Sequence, residues 1–387
     1  MDQKGTEEAI MKLAFCLFTY FPFGGLQRDF LHIAMACRDR GHEIHVFTLK
    51  WEGEVPPGFA ISLISAEGLT NHTRCRNFSK KVCDCLKKGR FDLALGFNKM
   101  HCLDVYYAAD PCYKAGMEER KSILYRTGPR YRTYAELEKG VFERSSHTHI
   151  LLIAPQEQAK FIAHYGTPVE RFHSLPPGIT GDRRLPDNAK EIRNAVRNEC
   201  GVAGDEFMLL MVGSGFETKG LDRSLAAIAG LPEPLRCKTR LFVIGKGKNK
   251  SFEKQAETLT LADRLIFLGG RDDVPRFMAG ADLLLHPARS ENTGTVLIEA
   301  MASGLPVLAT DICGYAFHVR EAGAGLLVPS PFRQQELNEL LHQMITSPDS
   351  AMWKRKGIEY VERNDFFSMP EKAAEIIESL ALKKAAL

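Results

Sequence analysis

The sequence predicts an α/β protein of two Rossmann-like, doubly wound domains, each built on a parallel sheet. Three observations carry this. Short apolar runs alternate with longer segments of helical period in both halves of the chain. Turns rich in glycine close several of those runs. Near the middle, Leu175-Pro176-Pro177-Gly178-Ile179 reads as a linker, stiffened by Pro-Pro and turned at Gly178. A length of 387 residues suits two domains that each bury a core. The expected division is a flexible leader over 1–11, a first domain over 12–176 and a second over 177–365.

The first half opens with MDQKGTEEAI, too polar for a secretory signal. Leu13–Phe18 is the first expected strand. The turn Thr19–Gly25 follows, then a helix from Leu26 to about Arg40 that ends at Gly41, then a strand over Glu43–Leu49. This strand–loop–helix–strand order implies parallel pairing. Gly24 and Gly25 let the backbone approach a ligand at the carboxyl edge of the sheet, where such folds bind. They do not form G-x-G-x-x-G, so no dinucleotide fingerprint is present. Gln27, Arg28 and Asp29 fall in the first turn of the helix. Further strands are expected at Ile61–Ile64, Leu93–Phe97 and Ile150–Ile153. Lys99, Asp104 and Asp110 follow the Leu93–Phe97 strand, in a region placed for chemistry. A lone aspartate there is more often a cap or turn residue.

The second half repeats the pattern. Asp182, Arg183 and Arg184 open a charged region after the linker. Strand Phe207–Val212 runs into the loop Gly213–Gly220 and a helix from Leu221. That loop lacks the Lys-Ser/Thr ending of a P-loop, yet its glycines, Lys219 and Arg183 can hold phosphate through N–H groups and fixed positive charge. Strands Leu241–Ile244, Leu265–Leu268 and Leu283–His286 follow. The chain closes with helices over Gln334–Ile345, from a break at Pro348 to about Arg363, and over Glu371–Leu382. Ala374, Ile377 and Leu380 or Ala381 form an apolar stripe on the last of these.

The most informative stretch is HPARSENTGTVLIEAMASGLPV, from His286. Seven residues separate Glu291 from Glu299. In one continuous helix the two carboxylates would sit about 12 Å apart along the axis and about 80° apart around it. Asn292-Thr293-Gly294-Thr295 instead reads as a polar loop, with a helix from about Gly294 to Ser303 and a new strand from Val307. Glu291 then lies on the loop and Glu299 one to two turns into the helix. The N–H groups of Thr293, Gly294 and Thr295 lie between them, at the positive end of the helix, where anions bind. A glutamate near a helix start often only offsets the helix dipole, and one inside a helix is usually solvated. Together, however, two hydroxyl acceptors flanking an anion site match a sugar, a diphosphate and a second sugar in a row, the shape of a nucleotide-sugar.

Composition excludes several classes. An apolar fraction of 44% and a charged fraction of 26% are ordinary for a globular protein. A net charge of +3 gives no argument for nucleic acid. No apolar run reaches membrane-spanning length. The ten cysteines are scattered with no C-x-x-C pair, so neither a zinc pattern nor a disulfide framework is expected, and most should be buried thiols in a reducing cytoplasm. One local bias stands out. RKSILYRTGPRYRTY, residues 120–134, holds Arg120, Lys121, Arg126, Arg130 and Arg132 without an acidic residue, interleaved with Tyr125, Tyr131 and Tyr134. A solvated basic helix with buried tyrosine rings fits this composition. So does a surface laid on anionic lipid, where each basic residue contributes about 1 kcal/mol and tyrosine suits the headgroup zone. RNA binding fits less well, since no RNA-binding motif accompanies it.

The Glu-x-seven-Glu phrase, with its small residues and the Gly304-Leu305-Pro306-Val307 sequel, resembles that of the retaining glycosyltransferases of family 4. FPFGGLQRDF, WEGEVP, GFNKM, LDVYYAAD, YRTYAELE, RFHSLPPGI and GLDRS extend the likeness to the lipopolysaccharide core glucosyltransferase I family, from about Leu13 to Ala374. The resemblance implies a GT-B fold, two Rossmann-like domains facing a cleft, with the last helix (366–387) crossing back to the first. It implies transfer of glucose from UDP-glucose to an inner-core heptose of lipopolysaccharide, through an α-1,3 linkage, by an enzyme peripheral on the cytoplasmic face of the inner membrane. On that likeness Glu291 contacts donor-sugar hydroxyls, Glu299 the ribose, and Lys219 and Arg183 the diphosphate. Gly24 and Gly25 approach the diphosphate or donor sugar. Asp110 takes the place of an acidic residue near the reacting centre, where many relatives carry histidine, and Asp29 lies on the acceptor side with Lys99. Thr218 stands where the family often has arginine, one charge fewer.

No D-x-D is present; Asp272 and Asp273 are adjacent. No metal is therefore expected, with Lys219, Arg183 and helix N–H groups compensating the diphosphate. Retention can proceed by same-face attack or through a covalent intermediate on Asp110. Three other readings remain: a sibling transferase using another nucleotide-sugar, a GT-B-like epimerase acting on UDP-sugars, and a non-catalytic sugar-binding protein.

Overall fold

The computed structural model describes residues 10–22 and 24–386. The expected leader thus falls, up to residue 9, outside the described residues, as does Phe23. Met11, the last leader position, is buried, and its carbonyl accepts from the Glu43 N–H at 2.8 Å. The chain divides into two compact units: one up to Pro176 together with Ser368 onward, the other Pro177–Phe367.

The first unit holds β1 (Lys12–Cys16), β2 (Thr19–Tyr20), β3 (Glu43–Thr48), β4 (Lys50–Trp51), β5 (Phe59–Leu63), β6 (Leu93–Gly96), β7 (Val105–Ala108), β8 (His149–Leu152) and β9 (Phe172–Ser174). Seven of them form one parallel sheet in the order β5-β3-β1-β6-β7-β8-β9, while β2 and β4 make a two-residue ribbon. The second unit holds β10 (Phe207–Val212), β11 (Thr239–Ile244), β12 (Leu265–Gly269), β13 (Leu283–His286), β14 (Val307–Thr310) and β15 (Gly325–Val328), in the order β12-β11-β10-β13-β14-β15. In each sheet the order reverses beside the first strand, between β1 and β6 and between β10 and β13. Such switch points open a crevice at the strands' carboxyl ends.

Both sheets are covered on both faces, which is why their strands read as unbroken apolar runs. In β1, Leu13 and Phe15 join one core, and Ala14 and Cys16 the other. In β10, Met208 and Leu210 face one core, and Leu209 and Met211 the opposite one. Besides the β2–β4 ribbon, three strands of the two main sheets were not expected: β7, β9 and β15. Each has only three or four residues, and such runs become strands through their neighbours rather than through their own pattern.

Two further corrections concern chain ends and cysteines. The last helix spans Met369–Ala385, starting two residues before the expected Glu371. Its stripe of Ala374, Ile377, Leu380 and Ala381 is buried in the core of the first unit beneath Leu13, Phe15 and Ile33. Glu378 anchors it, with Arg40 at 2.6 and 2.7 Å and His42 at 2.7 Å. Cys83, expected as a thiol, is joined to Cys102 in a disulfide that ties the Asn71–Lys88 helix to the loop after β6. The other eight cysteines are thiols, of which Cys16, Cys37, Cys112 and Cys313 are buried and Cys237 is exposed.

Because Ile377 has no exposed surface, Ile377→Ala should destabilise the first unit by about 2–5 kcal/mol. Leu382→Ala, at a half-exposed position of the same helix, should cost less than about 0.5 kcal/mol. Urea unfolding of the two variants checks the pair.

Candidate functional site

The loops at the carboxyl ends of β10 and β13 carry the expected phosphate and sugar residues. Gly220 ends the first loop with φ +78°, and a Cβ there would come within 2.1 Å of the Pro287 carbonyl oxygen. Only glycine allows this approach. The Arg289 N–H donates to the Thr218 carbonyl at 2.8 Å. Its guanidinium grips both Asp222 oxygens at 2.6 Å and reaches the Glu217 carbonyl at 3.0 Å. These contacts clamp the loop bearing Lys219 onto the loop after β13. Neither Arg289 nor Asp222 was singled out from the sequence, although the arginine lies inside the informative stretch.

Glu291 sits on the second loop, outside the helix, which spans Thr295–Ala302. Gly294 caps that helix at φ +87°, and a Cβ there would lie 3.3 Å from Glu291 Cγ. The Gly314 N–H donates to the Glu291 carbonyl and the Tyr315 N–H to that of Thr293, at 3.2 and 2.6 Å, so the loop is stitched at both ends. Lys219 Nζ donates to Glu291 Oε2. His286, fully buried at the end of β13, lies 3.2 Å from the same oxygen through Nε2. Burial pushes the Glu291 carboxyl up, but His286 and Lys219 together outweigh it and hold the group down at about 2. The carboxylate therefore stays ionised, an acceptor only, across the neutral range. His286 escaped the sequence reading; its signal was a polar residue ending an otherwise apolar strand.

Glu299 is buried in the second turn of the helix and pairs with Arg183 at 3.7 Å. Arg183 belongs to a short 3-10 turn, Gly181–Arg183. That turn is pinned where the Ser303 hydroxyl donates to the Arg183 carbonyl at 2.9 Å. The Arg183 guanidinium is buried, and its Nε and Nη1 have no hydrogen-bond partner among the described residues. Buried donors of this kind are costly unless something accepts from them. The site thus holds two carboxylate–cation pairs, Lys219–Glu291 and Arg183–Glu299, with the first-turn N–H groups of the Thr295–Ala302 helix, next to Asn292 and Thr293. Among the described residues no group of three or more His, Cys, Asp or Glu side chains is placed for a metal ion. Asp273 is spent on Arg271 and Arg276.

In the first unit, Gly24 caps the Gly25–Asp39 helix with extended backbone at φ −96°, so neither glycine is needed for a left-handed turn. Gly25 has open space where a Cβ would lie, whereas at Gly24 that position is filled by the Gln27 amide. Asp29 accepts from the Tyr107 hydroxyl at 2.8 Å. Asp110 is exposed just beyond β7. Asp104 is neither a cap nor a turn residue but ties elements together: it accepts from the Ala94 N–H within β6 at 2.7 Å and from Lys384 of the last helix at 2.8 Å. The Lys99 ammonium donates to buried Glu138 at 2.6 Å and to the Pro111 carbonyl at 2.7 Å, contacts that brace this unit.

The basic stretch runs from the end of one helix, Tyr113–Arg120, through a second, Ile123–Arg126, into a third, Pro129–Phe142. Tyr113 packs against Tyr131 and Tyr134, while Lys121 lies over the Tyr125 ring and Arg130 over that of Tyr134. Tyr125 and Tyr131 are half-buried; Lys121, Arg130 and Arg132 are exposed, with Leu124 at 81%. Arg126 leans towards Glu118 at 3.9 Å. Among the described residues no helix is long and apolar enough to cross a membrane.

Residues 192–360 match the family described as glycosyl transferases group 1. The chain is 45% identical over 368 residues to the lipopolysaccharide glucosyltransferase WaaG of Escherichia coli K12, covering 95% of this chain and 98% of that protein. It superposes on a crystal structure of WaaG with a TM-score of 0.91, at 44% identity, covering 94% of this chain and 99% of that one. Sucrose-phosphate synthase from Thermosynechococcus elongatus shares the fold, with a TM-score of 0.77 at 20% identity over 97% of this chain and 99% of that one. Two Rossmann-like units, paired glutamates at a switch point and this likeness converge: the chain is a GT-B glycosyltransferase and belongs to the WaaG family of lipopolysaccharide biosynthesis.

Proposed function

We propose that the protein moves glucose from UDP-glucose to a heptose of the lipopolysaccharide inner core, forming an α-1,3 linkage with retention and without a metal ion. The observation that carries this is the pair of carboxylate–cation contacts at the β10/β13 switch point. The identity to a lipopolysaccharide glucosyltransferase across nearly the whole chain supports the choice of sugar and pathway.

Lys219 has three ammonium donors and spends one on Glu291. An arriving diphosphate takes the others, together with the open Nε and Nη1 of Arg183. Helix N–H groups add fixed dipoles. Glu291 and Glu299, freed in part from their cations, accept hydroxyls of the glucose and the ribose. As the glycosidic bond breaks, negative charge grows on the leaving UDP. Lys219 and Arg183 gain most from it at that moment, and this differential binding lowers the barrier. For retention we favour same-face attack: the acceptor hydroxyl enters beside the leaving diphosphate, which takes its proton. Asp29 stands on the acceptor side. Asp110 is the carboxylate for a covalent alternative. The exposed Lys121, Arg130 and Arg132 around Leu124 suit an anionic inner-membrane surface, where the amphiphilic acceptor lies.

Transfer from radiolabelled UDP-glucose to heptose-terminated lipopolysaccharide should persist in EDTA, and Glu291→Ala should lower kcat about 100-fold. Activity only with another nucleotide-sugar would move the assignment to a sibling transferase. Turnover of the donor without acceptor would favour an epimerase. Intact-protein mass spectrometry with a slow donor should show no glycosyl adduct; an adduct on Asp110 would replace same-face attack with the covalent route. Co-sedimentation with anionic vesicles should weaken by about 1 kcal/mol for each of Arg130 and Arg132 neutralised. Arg126, engaged with Glu118, should matter less. Binding insensitive to these changes and to salt would sink the membrane reading.

A further inference from the structure

We infer that His286 is a positioning residue: it holds Glu291 Oε2 so that Oε1 stays aimed at the donor sugar when Lys219 turns to the diphosphate. This rests on the reading of Glu291 as the donor-sugar acceptor.

The two partners of Oε2 are not equivalent. Lys219 is a flexible stem with a mobile charge, and the proposed reaction gives it a second anion to serve. Had Glu291 only Lys219, its carboxylate would follow the ammonium towards the phosphates. His286 has no such freedom. It closes β13, is registered against Ala309 of β14, and has no exposed surface. An ionised carboxylate brings no hydrogen, so at 3.2 Å the imidazole Nε2 must be the donor. Nδ1 is buried without a hydrogen-bond partner among the described residues, so the ring's one polar contact is Glu291. An apolar side chain would fill this site without leaving a polar atom unpaired. A histidine there is better explained by what it does to Glu291 than by packing. The other titratable group facing Glu291 is the Cys313 thiol. Burial first, then Glu291, pushes it up to about 12, so it stays neutral and does not compete.

The test compares three variants of the full-length enzyme. Gln can place an amide N–H near the position of Nε2; Asn is too short, and Ala has no donor. His286→Asn and His286→Ala should lower kcat for UDP-glucose about 100-fold, leave inhibition by UDP unchanged within about twofold, and narrow the preference for UDP-glucose over UDP-galactose. His286→Gln should recover most of each loss. A second readout needs no turnover: 13C NMR titration of the Glu291 carboxyl. Its midpoint, which His286 and Lys219 should hold below the ordinary carboxylate range in the wild type, should rise in the Asn variant and return towards the wild-type value in the Gln variant. With a lowering partner removed, the carboxyl protonates at higher pH, so the loss of ionisation moves upward. If wild type transferred from no nucleotide-sugar, the functional reading would fall while the titration still judged His286. An Asn variant with wild-type kcat and an unmoved midpoint would overturn the inference. Equal impairment of all three variants, explained by lower Tm with no change in midpoint or donor ratio, would overturn it too.

Discussion

The ion pair between Lys219 and Glu291 is the constraint around which the second unit is arranged. Both side chains are largely buried, and pairs of this kind contribute little stability against an apolar alternative, because desolvation offsets their attraction. Much backbone nevertheless serves the pair. Gly220 passes close to the Pro287 carbonyl, Arg289 clamps Thr218 beside the lysine, and Gly294 turns left-handed beneath the glutamate. Gly314 and Tyr315 hold the far side of the loop. Each of these restricts where one charge sits relative to the other. Such expense in geometry for a pair of small net worth fits a binding device better than a structural staple.

The fold was legible where the apolar runs are long. Phe207–Val212 and Leu283–His286 match the expected strands residue for residue. The helix after Gly294 and the last helix lie within two or three residues of expectation, because glycine and proline punctuate their starts. What could not be read was decided by neighbours. Val105–Ala108 is a strand because β6 and β8 flank it; alone it is part of a run of five apolar residues between Asp104 and Asp110. The Cys83–Cys102 bond joins a helix to a loop 19 residues away, a proximity no spacing rule supplies. The candidate site followed the same logic. Glu291, Glu299, Lys219 and Arg183 announce themselves by motif and charge. His286 and Arg289 act through residues distant in sequence or hidden beneath the motif, and Glu138, which binds Lys99, lies 39 residues on.

The two carboxylate–cation pairs also bear on how the site keeps its own charges matched. Four charges at a partly buried position would repel or desolvate badly if unmatched. Paired as Lys219–Glu291 and Arg183–Glu299, they are neutral in sum. The pairs differ in tightness. Lys219 is in direct contact with its carboxylate, whereas Arg183 stands 3.7 Å from Glu299 with two donors unspent. An incoming dianion therefore meets one cation already poised for it and another that must share. On the proposed reading, the looser pair favours first capture of the phosphates through Arg183. On the same reading, the tighter pair makes Lys219 the cation that is shared, turning in part to the diphosphate while His286 keeps Glu291 in place for the sugar.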